Sequence, residues 1–250
     1  MRYYIGWDSV DQVAYNVAVA SLRKHASIDV TVIPIWDDML RERGLYSRTH
    51  EVIDSQKYDT SDGKAFSTAF SFARFGVILI ELAEGDGDEW VLFTDPDVLW
   101  RGDIAELMAR ADDRYAVMCV QHNHKPREDT KMLGKIQTTY RRKNWSSMML
   151  IKPARCRGLT LEALNTWRGS MLHALEFVRN SEIGEISEKW NWLVGISPTC
   201  SEPPDWRHQK LIHFTLGTPD MPGRATAEWA AEWRSYLDEP VAAGRSDPPS

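Results

Sequence analysis

Two carboxylates stand two residues apart directly after an apolar run, in Val91-Leu92-Phe93-Thr94-Asp95-Pro96-Asp97-Val98-Leu99-Trp100. If the run is a strand, the first and third residues of the turn can point into the same space at the carboxyl edge of a sheet, where open α/β sheets bind ligands. Two hard oxygen ligands there suit a magnesium or manganese ion bridging a diphosphate. The spacing fits a solvated turn equally well, since Asp and Pro are common turn residues. His213 lies in Leu211-Ile212-His213-Phe214-Thr215-Leu216-Gly217, an apolar run that ends in Gly. A His in such a setting is more often a hydrogen-bonded core residue than a ligand. Beside a carboxylate pair it offers a third protein ligand and leaves other positions for phosphate oxygens. Arg74 is the one conspicuous charge in the apolar stretch from Ser67 to Ile80. A guanidinium there needs an anionic partner, either a bound donor, the two carboxylates or a structural ion pair.

These residues require elements that place them. Tyr3 to Gly6 reads as a strand, with Asp8 and Ser9 as N-caps before the apolar-periodic Val13, Val17, Ala20 and Leu22. Val30 to Ile35 is a β-branched second strand leading through Trp36 into Asp37-Asp38, an acidic helix start. After a polar connection over Ser47 to Gly63, the spacing predicts a long buried helix over 67–80 and a strand from Glu89 to Thr94 that delivers Asp95. Tyr115 to Val120 and Ser147 to Ile151 are further strands, separated by a basic connection from Gln121 to Lys143, expected to act as a mobile lid. Leu161 to Val178 is expected to be helical, Leu211 to Phe214 a strand, and Ala225 to Leu237 a closing helix.

The length of 250 residues points to one domain over residues 1–237 with a disordered tail over 238–250, rich in Pro, Ala, Gly and Ser. A net charge of -6 argues against nucleic-acid partners, which need excess Lys and Arg. No apolar run has the length of a transmembrane segment, and the N-terminus lacks the apolar stretch of a secretory signal, so the expected location is cytoplasmic. Cys119, Cys156 and Cys200 make no motif and read as reduced thiols. Trp190 and Trp192, on either side of Asn191, are as compatible with a core as with a sugar platform.

Taken together and in order, Ile5-Gly6-Trp7-Asp8 after the first strand, Arg74 in Phe72-Ala73-Arg74-Phe75, Asp95-Pro96-Asp97 as a DXD pair, and His213 with Gly217 resemble the motifs of a GT-A glycosyltransferase. The resemblance covers about residues 1–217 and is nearest to glycosyltransferase family 8, the group of glycogenin and the bacterial galactosyltransferases. It implies an α/β, Rossmann-like GT-A fold with a single mixed, mostly parallel sheet and helices on both faces. It also implies a metal-dependent glycosyltransferase of the hexosyltransferase type, using manganese or magnesium. A nucleotide-sugar donor, a UDP-sugar, would pass its sugar with retention of anomeric configuration to a carbohydrate, lipid-linked or protein acceptor.

Carried onto this sequence, Gly6, Trp7 and Asp8 would hold the nucleobase, and Arg74 would meet the donor. Thr94, Asp95, Pro96 and Asp97 would line the donor site, Asp95, Asp97 and His213 would coordinate the metal, and Gly217 would approach the diphosphate. Arg74, Asp97 and Glu188 would be the catalytic set, with Glu188 in Ser187-Glu188-Lys189-Trp190-Asn191 nearest to the family's Asp-Gln segment. Where the family continues to Lys-Pro-Trp, this chain has Thr218-Pro219-Asp220, and Asn144-Trp145-Ser146-Ser147 stands where the family has Asn-Ser-Gly. Two rival readings are a sugar nucleotidyltransferase, which should carry a Gly-rich phosphate loop after the first strand, and a non-catalytic nucleotide- or sugar-binding protein on the same fold.

Overall fold

The computed structural model describes residues 1–122, 142–197 and 208–239. Most of the basic connection from Gln121 to Lys143, Cys200, and the tail from residue 240 onward lie outside the described residues.

Period-2 alternation decides the central sheet. Strands β1 (Arg2–Gly6), β2 (Thr31–Ile35), β6 (Val91–Thr94), β8 (Val117–Cys119), β9 (Met148–Ile151) and β10 (Ile183–Glu185) pair in the order β10-β8-β9-β6-β1-β2. Strand β9 runs antiparallel to both neighbours, whereas the other pairings are parallel. Tyr4, Phe93, Val117, Cys119, Met149 and Ile151 point to one face, and Tyr3, Ile5, Leu92, Met118 and Leu150 to the other. Both faces are apolar, so both must be covered. Helix α1 (Gln12–His25) covers the second face with Ala18, Val19 and Leu22, while α3 (Ala73–Glu84) covers the first with Phe75, Ile78 and Ile80. The remaining helices are short: α2 (Asp37–Glu42), α4 (Ile104–Met108), α5 (Leu161–Thr166), α6 (Gly169–His173) and α7 (Ala230–Arg234).

Two small sheets flank the central one where a single sheet is expected, and of their strands only the one at Leu211–His213 is anticipated by the sequence. The first joins β11 (Trp192–Leu193), β12 (Leu211–His213) and β7 (Val98–Trp100). The second is a meander of β3 (His50–Ile53), β4 (Gln56–Asp59) and β5 (Ala65–Phe66), whose first two strands occupy the expected polar connection over Ser47 to Gly63 and whose third lies just beyond it. Three helix boundaries also differ from expectation. The helix expected over 67–80 begins only at Ala73, because Thr68 and Ser71 bond each other through backbone and side chain and hold the preceding chain in a turn. The stretch from Leu161 to Val178 splits after Thr166, where Trp167 is extended. Gly169 then passes so close to Phe72 that a Cβ would stand 2.6 Å from its ring. The closing helix is shortened to α7 by Trp229, whose φ of 59° is left-handed.

The meander is fastened to the body by one buried cation. Arg48 and Asp59 are 4% and 1% exposed, and the guanidinium donates to both Asp59 oxygens, to Ser61 Oγ and to the carbonyls of Leu164 and Trp167. It also sits 4.3 Å from the centre of the Phe72 ring. Removing one member of such a pair leaves a buried charge uncompensated, so Arg48→Ala is expected to lower unfolding free energy by about 3–5 kcal/mol. Urea unfolding measures this, and a loss of under about 1 kcal/mol, the range of exposed pairs, would show that the clasp is not needed.

Candidate functional site

Backbone pairing on two sides fixes the carboxylates. On the central-sheet side the β6–β9 ladder runs one residue past the strand: Thr94 pairs with Met148, and Asp95 N donates to Ser147 O at 2.9 Å. On the other side β7 pairs antiparallel with β12, placing His213 opposite Val98, and Phe214 N donates to Asp97 O at 2.8 Å. Asp95 therefore belongs to one sheet, Asp97 to another, and His213 arrives by strand register. One ligand atom from each of these three residues lies within 4.8 Å of the others, a grouping suited to a metal ion.

The donor set fits a hard divalent ion. It offers carboxylate oxygen from two residues and one imidazole nitrogen. His213 Nε2 is 3.2 Å from Asp97 Oδ1. Adjacent ligands of an octahedral magnesium ion, each roughly 2.0–2.1 Å from it, stand about 3 Å apart, so the spacing agrees. His213 is 1% exposed, and its Nδ1 is 2.9 Å from Asn191 Oδ1.

Arg74 answers the charge of the pair. From the first turn of α3 its Nη1 is 2.7 Å from Asp95 Oδ1 and donates to Ser146 O at 2.9 Å, while Nε donates to Ser71 O at 3.1 Å. The Phe70 and Phe93 rings flank the guanidinium. Its partner is thus a DXD carboxylate.

A cavity of about 880 Å³ opens over these groups, near the upper end of the usual range of ligand sites. Arg74, Asp95, Pro96, Asp97, His213 and Gly217 line it. Gly217 adopts φ 117°, a conformation that favours glycine. Five other sequence-selected residues do not line it. Gly6 packs under Phe70, whose ring would lie 2.5 Å from an added Cβ. Trp7 donates to Gln12 Oε1 and meets Trp36 edge to face. Asp8 accepts from Val10 N and Ala69 N, holding the chain ahead of α3 against the β1 turn. Thr94 is buried, bonded to Tyr3 Oη and to Asp95 O. Glu188 accepts from Ser197 Oγ at 2.7 Å. Lys143, at the end of the basic connection, and Ser146 and Ser147, from the segment that stands where the family has Asn-Ser-Gly, also line the cavity, as does His173, which sequence reasoning missed and whose Nδ1 is 2.8 Å from Ser146 Oγ. A lone His between Leu172 and Ala174 carries no spacing signature. Burial pushes the Cys119 and Cys156 thiols up to about 12, so neither is a thiolate nucleophile at neutral pH.

No protein-family model matches the chain. Protein CDI of Arabidopsis thaliana is 38% identical to it over 240 residues, spanning 95% of this chain and 86% of that protein. The chain belongs to the Protein CDI family. Solved structures similar to this CDI-family chain are distant in sequence. An active-site mutant of LgtC matches with a TM-score of 0.58 at 11% identity, covering 98% of both chains. LgtC, a galactosyltransferase, has also been solved with donor and acceptor sugar analogues. The glycosyltransferase GlyE of Streptococcus pneumoniae matches with a TM-score of 0.53 at 13% identity, over 94% of this chain and 60% of that one. This chain thus spans under two thirds of the length of GlyE. The fold is that of the GT-A glycosyltransferases, an α/β architecture with a mixed, mostly parallel central sheet.

The Arg74–Asp95 contact can be tested through stability. Arg74→Ala is expected to cost about 3–5 kcal/mol in urea unfolding, as for a broken buried pair. Arg74→Lys should cost about 1–3 kcal/mol, since one ammonium cannot reach Ser71 O, Ser146 O and Asp95 together. Equal losses for the two variants would mean that charge is irrelevant there.

Proposed function

We propose that the chain is a glycosyltransferase that takes a sugar from a nucleotide-sugar donor, a UDP-sugar, and passes it to a carbohydrate, lipid-linked or protein acceptor. The observation that carries this reading is the convergence of Asp95, Asp97, His213 and Arg74 on one cavity. The GT-A fold and the sequence resemblance support it, and retention of anomeric configuration follows from the resemblance.

Asp95, Asp97 and His213 would hold manganese or magnesium. When bound, that ion supplies positive charge to the leaving nucleoside diphosphate. Arg74 holds Asp95 in place and adds a fixed cation at the same end of the cavity. Gly217, without a side chain, lets backbone approach the diphosphate closely. Pro96 restricts the turn that presents the two carboxylates, so they need not reorganise when donor arrives. Residues 1–237 act as one unit in this reading.

Screening nucleotide sugars for manganese-dependent release of nucleoside diphosphate tests the assignment, with a single strong donor as the expected result. With that donor, Asp97→Ala should lower turnover by about 10²-fold or more, corresponding to the several kcal/mol that a bound ion contributes. Manganese and nucleoside diphosphate together should raise the melting temperature more than either alone. Ligand-induced stabilisation without turnover across the screen would favour the binding-protein reading, and full metal-dependent turnover in Asp97→Ala would place the ion elsewhere.

A further inference from the structure

The polarity of one hydrogen-bond chain behind the carboxylates can be read from its far end. Asn144 adopts a left-handed conformation with φ 65°, and its carbonyl faces the Ser147 hydroxyl at 2.7 Å. A carbonyl only accepts, so the hydroxyl proton of Ser147 is committed to Asn144. The Ser147 oxygen therefore accepts from its other neighbour, Asn191 Nδ2, at 2.9 Å. That sets the amide orientation: Asn191 Oδ1 faces His213 Nδ1 at 2.9 Å, and an amide oxygen has only lone pairs to offer. His213 Nδ1 must then carry a proton. Nε2, the nitrogen left over, faces Asp97 Oδ1 at 3.2 Å.

We propose that Asn191 and Ser147 are positioning residues that commit the Nδ1 proton of His213 to Asn191 and so reserve Nε2 for a cation shared with the DXD carboxylates. The proposal rests on the reading of Asp95, Asp97 and His213 as a metal site. Outer-shell partners of metal-bound imidazoles commonly fix tautomer and ring orientation in this way. Asn191 is well placed for the task, being 0% exposed and preceded and followed in sequence by buried tryptophans, Trp190 and Trp192. Ser147 carries a second duty, because its carbonyl accepts from Asp95 N. One residue thus sets the backbone of a carboxylate ligand and, through Asn191, the ring of the imidazole ligand.

Asn191→Leu removes the acceptor facing Nδ1, whereas Asn191→Asp keeps an oxygen there. Free manganese is titrated by electron paramagnetic resonance against wild type, both variants and Ser147→Ala, with melting temperatures recorded in parallel. Asn191→Leu should weaken manganese binding about 10–100-fold, the usual cost of losing an outer-shell partner. Asn191→Asp should keep wild-type affinity even where its melting temperature falls, and Ser147→Ala should fall between. Nitrogen-15 resonances of His213 should report a protonated Nδ1 in metal-free wild type and a shift of the proton to Nε2 in Asn191→Leu. Unchanged manganese affinity and tautomer in Asn191→Leu would overturn the proposal, as would affinity that merely follows melting temperature across the set. If wild type binds no manganese, the metal reading of the triad fails, while the nitrogen-15 comparison still decides whether Asn191 sets the tautomer.

Discussion

The site depends on a short turn that leaves one sheet and joins another. Strand β6 ends in the central sheet and β7 begins in the small one, with only Asp95, Pro96 and Asp97 between them. Each carboxylate is anchored through its own backbone to a different sheet, Asp95 to Ser147 and Asp97 to Phe214. The two are thereby held at a seam at the carboxyl end of β6, where the general geometry of open α/β sheets leaves room for a ligand. His213 needs no loop to reach them, because the antiparallel register of β12 against β7 delivers it opposite Val98. A one-residue slip in that register would turn His213 to the other face and bring Ile212 or Phe214 in its place.

Placing charge at such a seam is costly unless each group is answered nearby. Arg48 and Arg74 show two ways of answering it. Arg48 is saturated by Asp59, Ser61 and two carbonyls, and its work is to bind the β3–β5 meander to the body. Arg74 spends its bonds on Asp95, Ser146 O and Ser71 O, and it does so at the cavity wall. The first cation shapes the enclosure, and the second sets the electrostatics inside it. The Tyr3 hydroxyl, bonded to buried Thr94 Oγ1, extends support below Asp95, and burial raises its pKa above the ordinary tyrosine value, so it stays neutral and able to donate.

Much of this was legible in the sequence for a specific reason. Asp95, Asp97, Arg74 and His213 are titratable residues in or beside apolar runs, where their cost demands a purpose, and the β1, β6, β8 and β9 strands announce themselves by apolar residues on both faces. The β3–β5 meander did not, because Glu51, Val52 and Ile53 are all exposed and no alternation marks a buried side. The break between α5 and α6 was hidden because it depends on the tertiary approach of Gly169 to Phe72, which no local propensity encodes. The placement of Gly6, Trp7, Asp8, Thr94 and Glu188 outside the cavity lining was equally invisible, since spacing along the chain cannot separate a residue in a cavity wall from one just behind it.

The tryptophans show how a composition signal is resolved by packing. Eleven indoles were compatible with platforms for sugar rings, yet Trp100, Trp190 and Trp233 are fully buried and Trp192 nearly so. Trp100 meets Tyr3 edge to face, and Trp192 and Trp233 pack with Leu99, Ile212 and Phe214 around the small sheet. Large rigid rings with few rotatable bonds suit this position, because the small sheet has short strands and gains little from backbone pairing alone. Their bulk fixes β7, β11 and β12 against α1, and with those strands the positions of Asp97, Asn191 and His213. An aromatic wedge behind a polar site can therefore matter to the site's chemistry as much as the residues that face it, since an error of about 1 Å in the small sheet would be passed directly to one side of the metal-ligand group.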